Sequence, residues 1–339
     1  MLSGSTVLVL GAGSSVDFGM PVGSELAKDI RDRLAFHFDF GTVLKGDEIL
    51  AMQFQRAFGD RSPSAFAAAQ RLASVIGSFK SIDDCLYTHG ADELMMTVGK
   101  AAIVRAIAAK EHSSWLRKLW SGQADARAQA LAKLDSGWVH QIVQMLVTGR
   151  RAADRRDLFS DLSLVTFNYD RCAETALFHL VRQAYAIEDV EAVPIMEGLK
   201  VYRPYGGLGA LPWMPAPHSP FGPEHPDTLR MASGISIYTE ELGERPDLVE
   251  MQGKLQAASN IVFLGFGFHK QNMELISPEA GPSNPPRVLA TMYGEPDPVV
   301  QVVTARIHSA YGVQANIHLG YKPVDSTQFI REHGVLLSA

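Results

Sequence analysis

Thr6-Val7-Leu8-Val9-Leu10 runs directly into Gly11-Ala12-Gly13-Ser14-Ser15, and this junction decides the fold class. A β-favouring apolar run closed by glycine reads as a strand buried on both faces, which belongs in a parallel sheet. Outward from it, Gly19-Met20-Pro21 marks a turn before a helix, with Ser24 a suitable N-cap. Leu26, Ile30, Leu34 and Phe38 then recur on one helical face. From about 24 to 159 the chain reads as almost entirely helical, with alanine dense over 65–73 and 101–109 and Pro63 the only proline. Ser81-Ile82-Asp83-Asp84 has the capping-box arrangement of a hydroxyl with an acid three residues on.

Strand character returns at Leu162 to Phe167, Ile261 to Leu264, Arg287 to Met292 and Ala315 to Leu319. Helical stretches such as Cys172 to Gln183 separate some of these, the layout of a parallel sheet with crossovers. The expectation is an α/β fold. Residues 1–23 and 160–339 form a Rossmann-like domain, and 24–159 form a helical insertion subdomain. Eight prolines between Pro194 and Pro226 are too many for regular elements, so a long ordered loop is expected there.

Composition narrows the function classes. The 339 residues are 46% hydrophobic and 20% charged, enough to bury a core. Lysine plus arginine number 31 against 37 acids, a net charge of −6, so direct nucleic-acid binding is not expected. Apolar runs such as Ile261 to Phe268 fall far short of the ~20 residues of a membrane span. No basic segment precedes Val7 to Leu10, so a signal peptide is not expected, and a cytoplasmic location with no membrane association is. Cys85 and Cys172 cannot supply a disulfide framework or a four-cysteine zinc site. His89 and the other histidines lack metal-ligand spacing, so no metal is expected. The basic run from Arg150 to Arg156 reads as a solvated loop or helix end beside Asp154 and Asp157.

A glycine turn after a first strand suits a phosphate, because the backbone can approach closely and helix-start N–H groups face the anion. The dehydrogenase form needs a third glycine and an acid about 20 residues on, at the end of a second strand. Val16 occupies the third-glycine position, and the acids near position 31 sit in a helix, so hydride transfer is disfavoured. Two further segments end strands where open α/β sheets place ligands: Thr166-Phe167-Asn168-Tyr169-Asp170 and Gly265-Phe266-Gly267-Phe268-His269.

In this order, Gly11-Ala12-Gly13-Ser14-Ser15 with Gly19-Met20-Pro21, then Asn168 to Asp170, then Gly265 to His269, the chain resembles the sirtuin family. The Ser81 to Leu86 helix start and the Phe-Asn-Tyr-Asp motif are similar to the bacterial antiphage-defence branch rather than to protein deacylases. Deacylases carry a catalytic histidine before a glycine; here Tyr205 stands at that position, ahead of Gly206. A phenol with a pKa near ~10 is a poor base at neutral pH. The deacylase zinc module is missing, and Val22-Gly23-Ser24 replaces its Asp-Phe-Arg.

The resemblance implies cleavage of NAD+ itself to nicotinamide and ADP-ribose, without zinc. It places Asn168 at the ribose face with a water and has Asp170 accept from the carboxamide. Ser14 and Ser15, with the Gly11, Ala12 and Gly13 backbone, hold the pyrophosphate. Gly19, Met20, Pro21, Thr166, Gly265, Gly267 and Asn272 line the cofactor, and Tyr205 and His269 join Asn168 and Asp170 as catalytic candidates. Each has a structural rival. Asn168 or Asp170 can serve the following helix start, His269 can be structural or solvent-exposed, and Tyr205 can be a packed aromatic with a bonded hydroxyl. The rival function is a catalytically weak or inactive scaffold subunit that binds NAD or ADP-ribose. An effector of this kind needs a silent state, so a homo-oligomer is expected, with a defence-system partner such as a hexameric ATPase implied by the resemblance.

Overall fold

The computed structural model describes residues 2–214, 218–237, 245–278, 281, 284–312, 316–320 and 324–338. Its strands in chain order are β1 Thr6–Leu10, β2 His37–Asp39, β3 Thr42–Lys45, β4 Leu162–Thr166, β5 Lys200–Tyr202, β6 Asn260–Leu264, β7 Arg287–Thr291 and β8 Asn316–Gly320. Among the described residues six of these form one parallel sheet in the order β5-β4-β1-β6-β7-β8, and β2 pairs with β3 as a separate antiparallel hairpin. The chain builds outward from β1 to one edge, returns, and builds to the other edge. This is the doubly wound Rossmann order, reversing between β1 and β6.

Period-two alternation explains why the strands lie in the middle. Leu8, Leu10, Leu162, Leu164, Val262, Leu264 and Leu289 enter the core on one face. Val7, Val9, Val165, Ile261, Phe263, Val288 and Ala290 enter the core on the other. Both faces are therefore apolar and both are covered, as a parallel sheet requires. Helices Trp138–Val147, Cys172–Tyr185 and Ser326–His333 contribute to the first core. Helices Pro246–Gln256, Lys270–Ile276 and Asp297–Tyr311 contribute to the second.

Residues Leu26 to Ala108 build a third core of their own, around the long helix Glu93–Ser113. Tyr169, Tyr205, Leu208 and Met231 to Ile237 join it from the sheet side. Leu116 to Leu146, further along the inserted stretch, pack on the sheet face instead.

Local details depart from the sequence reading at four places. The first helix, Gly23–Leu34, is capped by Val22, whose N–H donates to Glu25 Oε2 at 3.2 Å, so Ser24 lies inside the first turn. Phe38 is on β2 rather than on that helix, and the β2–β3 hairpin interrupts a stretch read as helical. The proline-rich segment holds regular structure at its start: helix Asp189–Met196 contains Pro194, and β5 follows. Arg171 rather than Asn168 precedes helix Cys172–Tyr185, whose first N–H donates to Asp170. Ala315, Pro215 and Pro217 lie outside the described residues.

Candidate functional site

β1 and β6 end side by side, with Leu10 paired to Leu264, so the loops that follow meet at the strand-order reversal. Contact between them is backbone to backbone. Gly13 N–H donates to Gly265 O at 3.0 Å, and Gly11 N–H donates to Leu264 O at 3.0 Å. A Cβ on Gly11 would sit 2.5 Å from Gly265 O, and one on Gly13 2.7 Å from Gly265 Cα. Gly265 is the tightest: at φ +55 its Cβ would lie 2.1 Å from Ser14 N. Gly265→Ala should therefore destabilise by about 3 kcal/mol or more, from overpacking plus left-handed strain. Urea unfolding checks this, and a loss below ~1 kcal/mol would show that the loops can separate cheaply.

The loop after β1 forms a 3₁₀ turn, Ala12–Phe18, closed by Gly19 in the left-handed region (φ 86). Ser14 N–H donates to Gly11 O, so the amides of Gly11, Gly13 and Ser14 are all spent within the fold. An anion at this loop depends on other donors. Met20 and Pro21 are buried behind it, and Thr166 Oγ1 accepts from Asn168 N–H at 3.2 Å.

Asn168 comes from the end of β4. Its Nδ2 donates to Gly11 O at 2.9 Å and lies 3.1 Å from Ser15 Oγ. Because Gly11 O can only accept, the amide orientation is fixed with nitrogen inward. No described residue donates to Asn168 Oδ1, which leaves an acceptor at the sheet edge. Ser15 Oγ donates to Asp170 Oδ1 at 3.0 Å, and the same oxygen accepts Cys172 N–H at 3.0 Å. Burial raises the Asp170 carboxyl above its ordinary range, opposed by the Cys172 N–H bond, while the charge of Glu111 raises it further. The sequence-read residues Gly11, Ser14, Ser15, Asn168 and Asp170 thus form one hydrogen-bonded cluster.

Two arginines hold this turn. Arg203, just after β5, donates to Asn168 O at 2.7 Å, to Asp170 O at 2.9 Å and to the Glu174 carboxylate. Arg171 points the other way, pairing with Glu111 at 2.6 Å, and the two side chains are 1% and 0% exposed. Neither Arg203, Glu174 nor Glu111 was read from the sequence. A weak signal existed for Glu111, which continues the buried Ile103, Ile107 spacing on helix Glu93–Ser113.

Tyr205 is buried, and its hydroxyl donates to Asn272 Oδ1 at 2.8 Å. Its ring packs edge-on to Phe167 at 5.6 Å, and Phe167 in turn lies 5.1 Å from Phe266. Burial, with the charge of Asp83, pushes the phenol above its ordinary pKa, so Tyr205 is a neutral donor and not a base. His269 is exposed at the start of helix Lys270–Ile276, with its ring over Gly267. No described contact joins it to Asn168 or Asp170.

Asp83 belongs to the Ser81 helix start and also faces the candidate site. Ser81 Oγ does cap that helix, Ile82–Thr88, accepting Asp84 N–H. Tyr169 Oη, next to Asn168 in the chain, lies 3.0 Å from Ser236 O and 3.3 Å from Asp83 Oδ1, so its one proton is shared between two acceptors. Burial pushes the Asp83 carboxyl up to about 6 from 3.8, partly offset by the Tyr169 bond. The native state thus binds this proton more tightly than the unfolded chain does. The contribution is fully present below 3.8 and is lost as pH rises through about 6. Relative to Asp83→Asn, the wild type should gain stability when pH falls from about 7 to about 4.5. Urea midpoints for both proteins at the two pH values test this; parallel shifts would remove Asp83 as the cause.

Fold and site together define a Rossmann-type α/β protein with a polar cluster at its topological switch point. No protein-family model and no curated protein matches the chain. Among the described residues no group of three or more His, Cys, Asp or Glu side chains could hold a metal ion, and no helix is long and apolar enough to cross a membrane.

Proposed function

We propose that this protein is a sirtuin-like NAD+ hydrolase that releases nicotinamide and ADP-ribose as an antiphage-defence effector. The observation that carries the reading is the open Asn168 Oδ1, held by a buried network where the strand order reverses and the two glycine loops meet. Open α/β sheets take nucleotides at that place.

In the reaction the C1′–N bond breaks, its electron pair leaves with neutral nicotinamide, and the ribose becomes oxocarbenium-like. Water adds to C1′ and gives up a proton to solvent. So electrophilic a centre needs orientation and charge complementarity more than a strong base, which suits a site whose tyrosine stays neutral. Asn168 Oδ1 orients the water or a ribose hydroxyl, and Asp170, beside it, accepts from the carboxamide. The test is nicotinamide release from NAD+ by the purified protein.

One observation favours a second reading, a binding scaffold with little turnover. The Tyr205 hydroxyl is committed to Asn272, and the exposed His269 does not replace the deacylase histidine. Such a scaffold would bind NAD+ or ADP-ribose without cleaving it. In either role, association with further copies or with an ATPase partner through the inserted helices is part of the proposal. Within the insertion, Phe40 and Leu44 at the β2–β3 hairpin and Met52 on helix Glu48–Phe58 are exposed apolar side chains.

A further inference from the structure

Away from the sheet edge, a cavity of about 760 Å³ lies between residues 112–121, helix Cys172–Tyr185 and the proline-rich loop. Its size falls within the range of small-molecule sites. Trp120, Phe178, Trp213 and Phe221 line it. Trp213 is stacked on Phe178 with centroids 4.1 Å apart, which fixes one wall. Trp120 packs edge-on to His179 at 4.5 Å and lies 6.0 Å from the tilted Phe221 ring, yet stays 43% exposed, leaving part of its indole surface open.

The charge around this opening is uneven. Of the lining acids, Asp189 is engaged by Arg182 Nε at 2.7 Å, and Glu224 is exposed. Arg117 Nη1 lies 3.2 Å from His112 Nε2, and His112 Nδ1 lies 3.1 Å from Gly222 O. Because arginine only donates and the carbonyl only accepts, His112 accepts at Nε2 and donates from Nδ1. Arg117 has no carboxylate partner among the described residues. Lys118 is exposed and has no ion pair among the described residues. Two cations thus face an aromatic pocket with one uncommitted acid.

The walls are also preformed. Arg171 donates to Ser219 O at 2.8 Å and Pro220 O at 2.9 Å, while Gly222 N–H donates to Glu111 Oε2 at 3.0 Å. The buried ion pair therefore pins the loop in place before anything binds, which lowers the ordering cost of association.

We infer that this cavity is a second binding site, for a planar aromatic ring carrying an anionic group, of the mononucleotide class. The ring stacks on Trp120 and the phosphate meets Lys118 and Arg117. The inference does not depend on the NAD+ reading, because its test is binding alone.

Equilibrium dialysis of the full chain with AMP, adenosine and inorganic phosphate decides it. AMP should bind saturably, and adenosine and phosphate should each bind more weakly. Trp120→Ala and Lys118→Glu should each weaken AMP about tenfold or more, as loss of a stacking platform or of the phosphate charge predicts. Both side chains are exposed, so circular dichroism should stay unchanged for both variants. The assignment fails if AMP does not bind at millimolar concentration, if both cavity variants bind as wild type does, or if phosphate alone binds as tightly as AMP.

Discussion

Glu111→Ala should lower the stability of the protein by about 3–5 kcal/mol. The Glu111 carboxylate accepts from Arg171 N–H, from two guanidinium nitrogens of Arg171 and from Gly222 N–H, all in the interior. Removing it strands a buried cation and leaves two backbone donors without partners. The damage should also reach the candidate site, because Arg171 follows Asp170 directly. Pairing the change with Arg171→Met should recover part of the loss, since the stranded charge goes with it. Urea unfolding of the three variants gives the result, and a single-variant cost under ~1 kcal/mol would mean that water reaches the pair.

Asn168→Ala should reduce NAD+ cleavage by at least about 10²–10³-fold, the scale seen when one preorganised polar group is removed from a transition-state site. Its structural cost should be small by comparison, about 1 kcal/mol. Gly11 O would still accept Ser14 N–H and Ser14 Oγ, the latter at 2.8 Å. Turnover and urea midpoint, measured on one preparation, separate the two effects. Wild-type turnover in a folded variant would take Asn168 out of the chemistry.

The legible parts of this molecule are those whose signal is local. β1 and its glycine loop were readable because five residues and two glycines carry the pattern without help from elsewhere. β4, β6 and β7 are five-residue strands in which apolar residues predominate, and the sequence located each to within a residue. β5 was not readable: three residues in a proline-rich stretch lack a period, and pairing with β4 alone makes them a strand. The β2–β3 hairpin was hidden because Phe38 continues the four-residue spacing of the preceding helix. Its turn also places Phe40 at φ 43, where asparagine or glycine is the usual signal.

At the candidate site, Asn168, Asp170 and the serines stood out because they follow a strand directly. Arg203, Glu174 and Glu111 did not, because a single charged residue says nothing about a partner far away in the chain. Asp83 is intermediate. Its capping motif was visible, but its approach to Tyr169 depends on how the inserted helices dock.

Whether the polar cluster at the β1/β6 switch point cleaves the nicotinamide–ribose bond, as proposed, is decided by product analysis. Purified protein, alone and in any assembly it forms, is incubated with NAD+, and the mixture is resolved by chromatography. Nicotinamide and ADP-ribose should appear in equal amounts, growing with time, and at least about 10²-fold more slowly for Asn168→Ala. Intact NAD+ in every assembly, with NAD+ still bound by calorimetry, would contradict the hydrolase and leave the scaffold; intact NAD+ with no binding would contradict both.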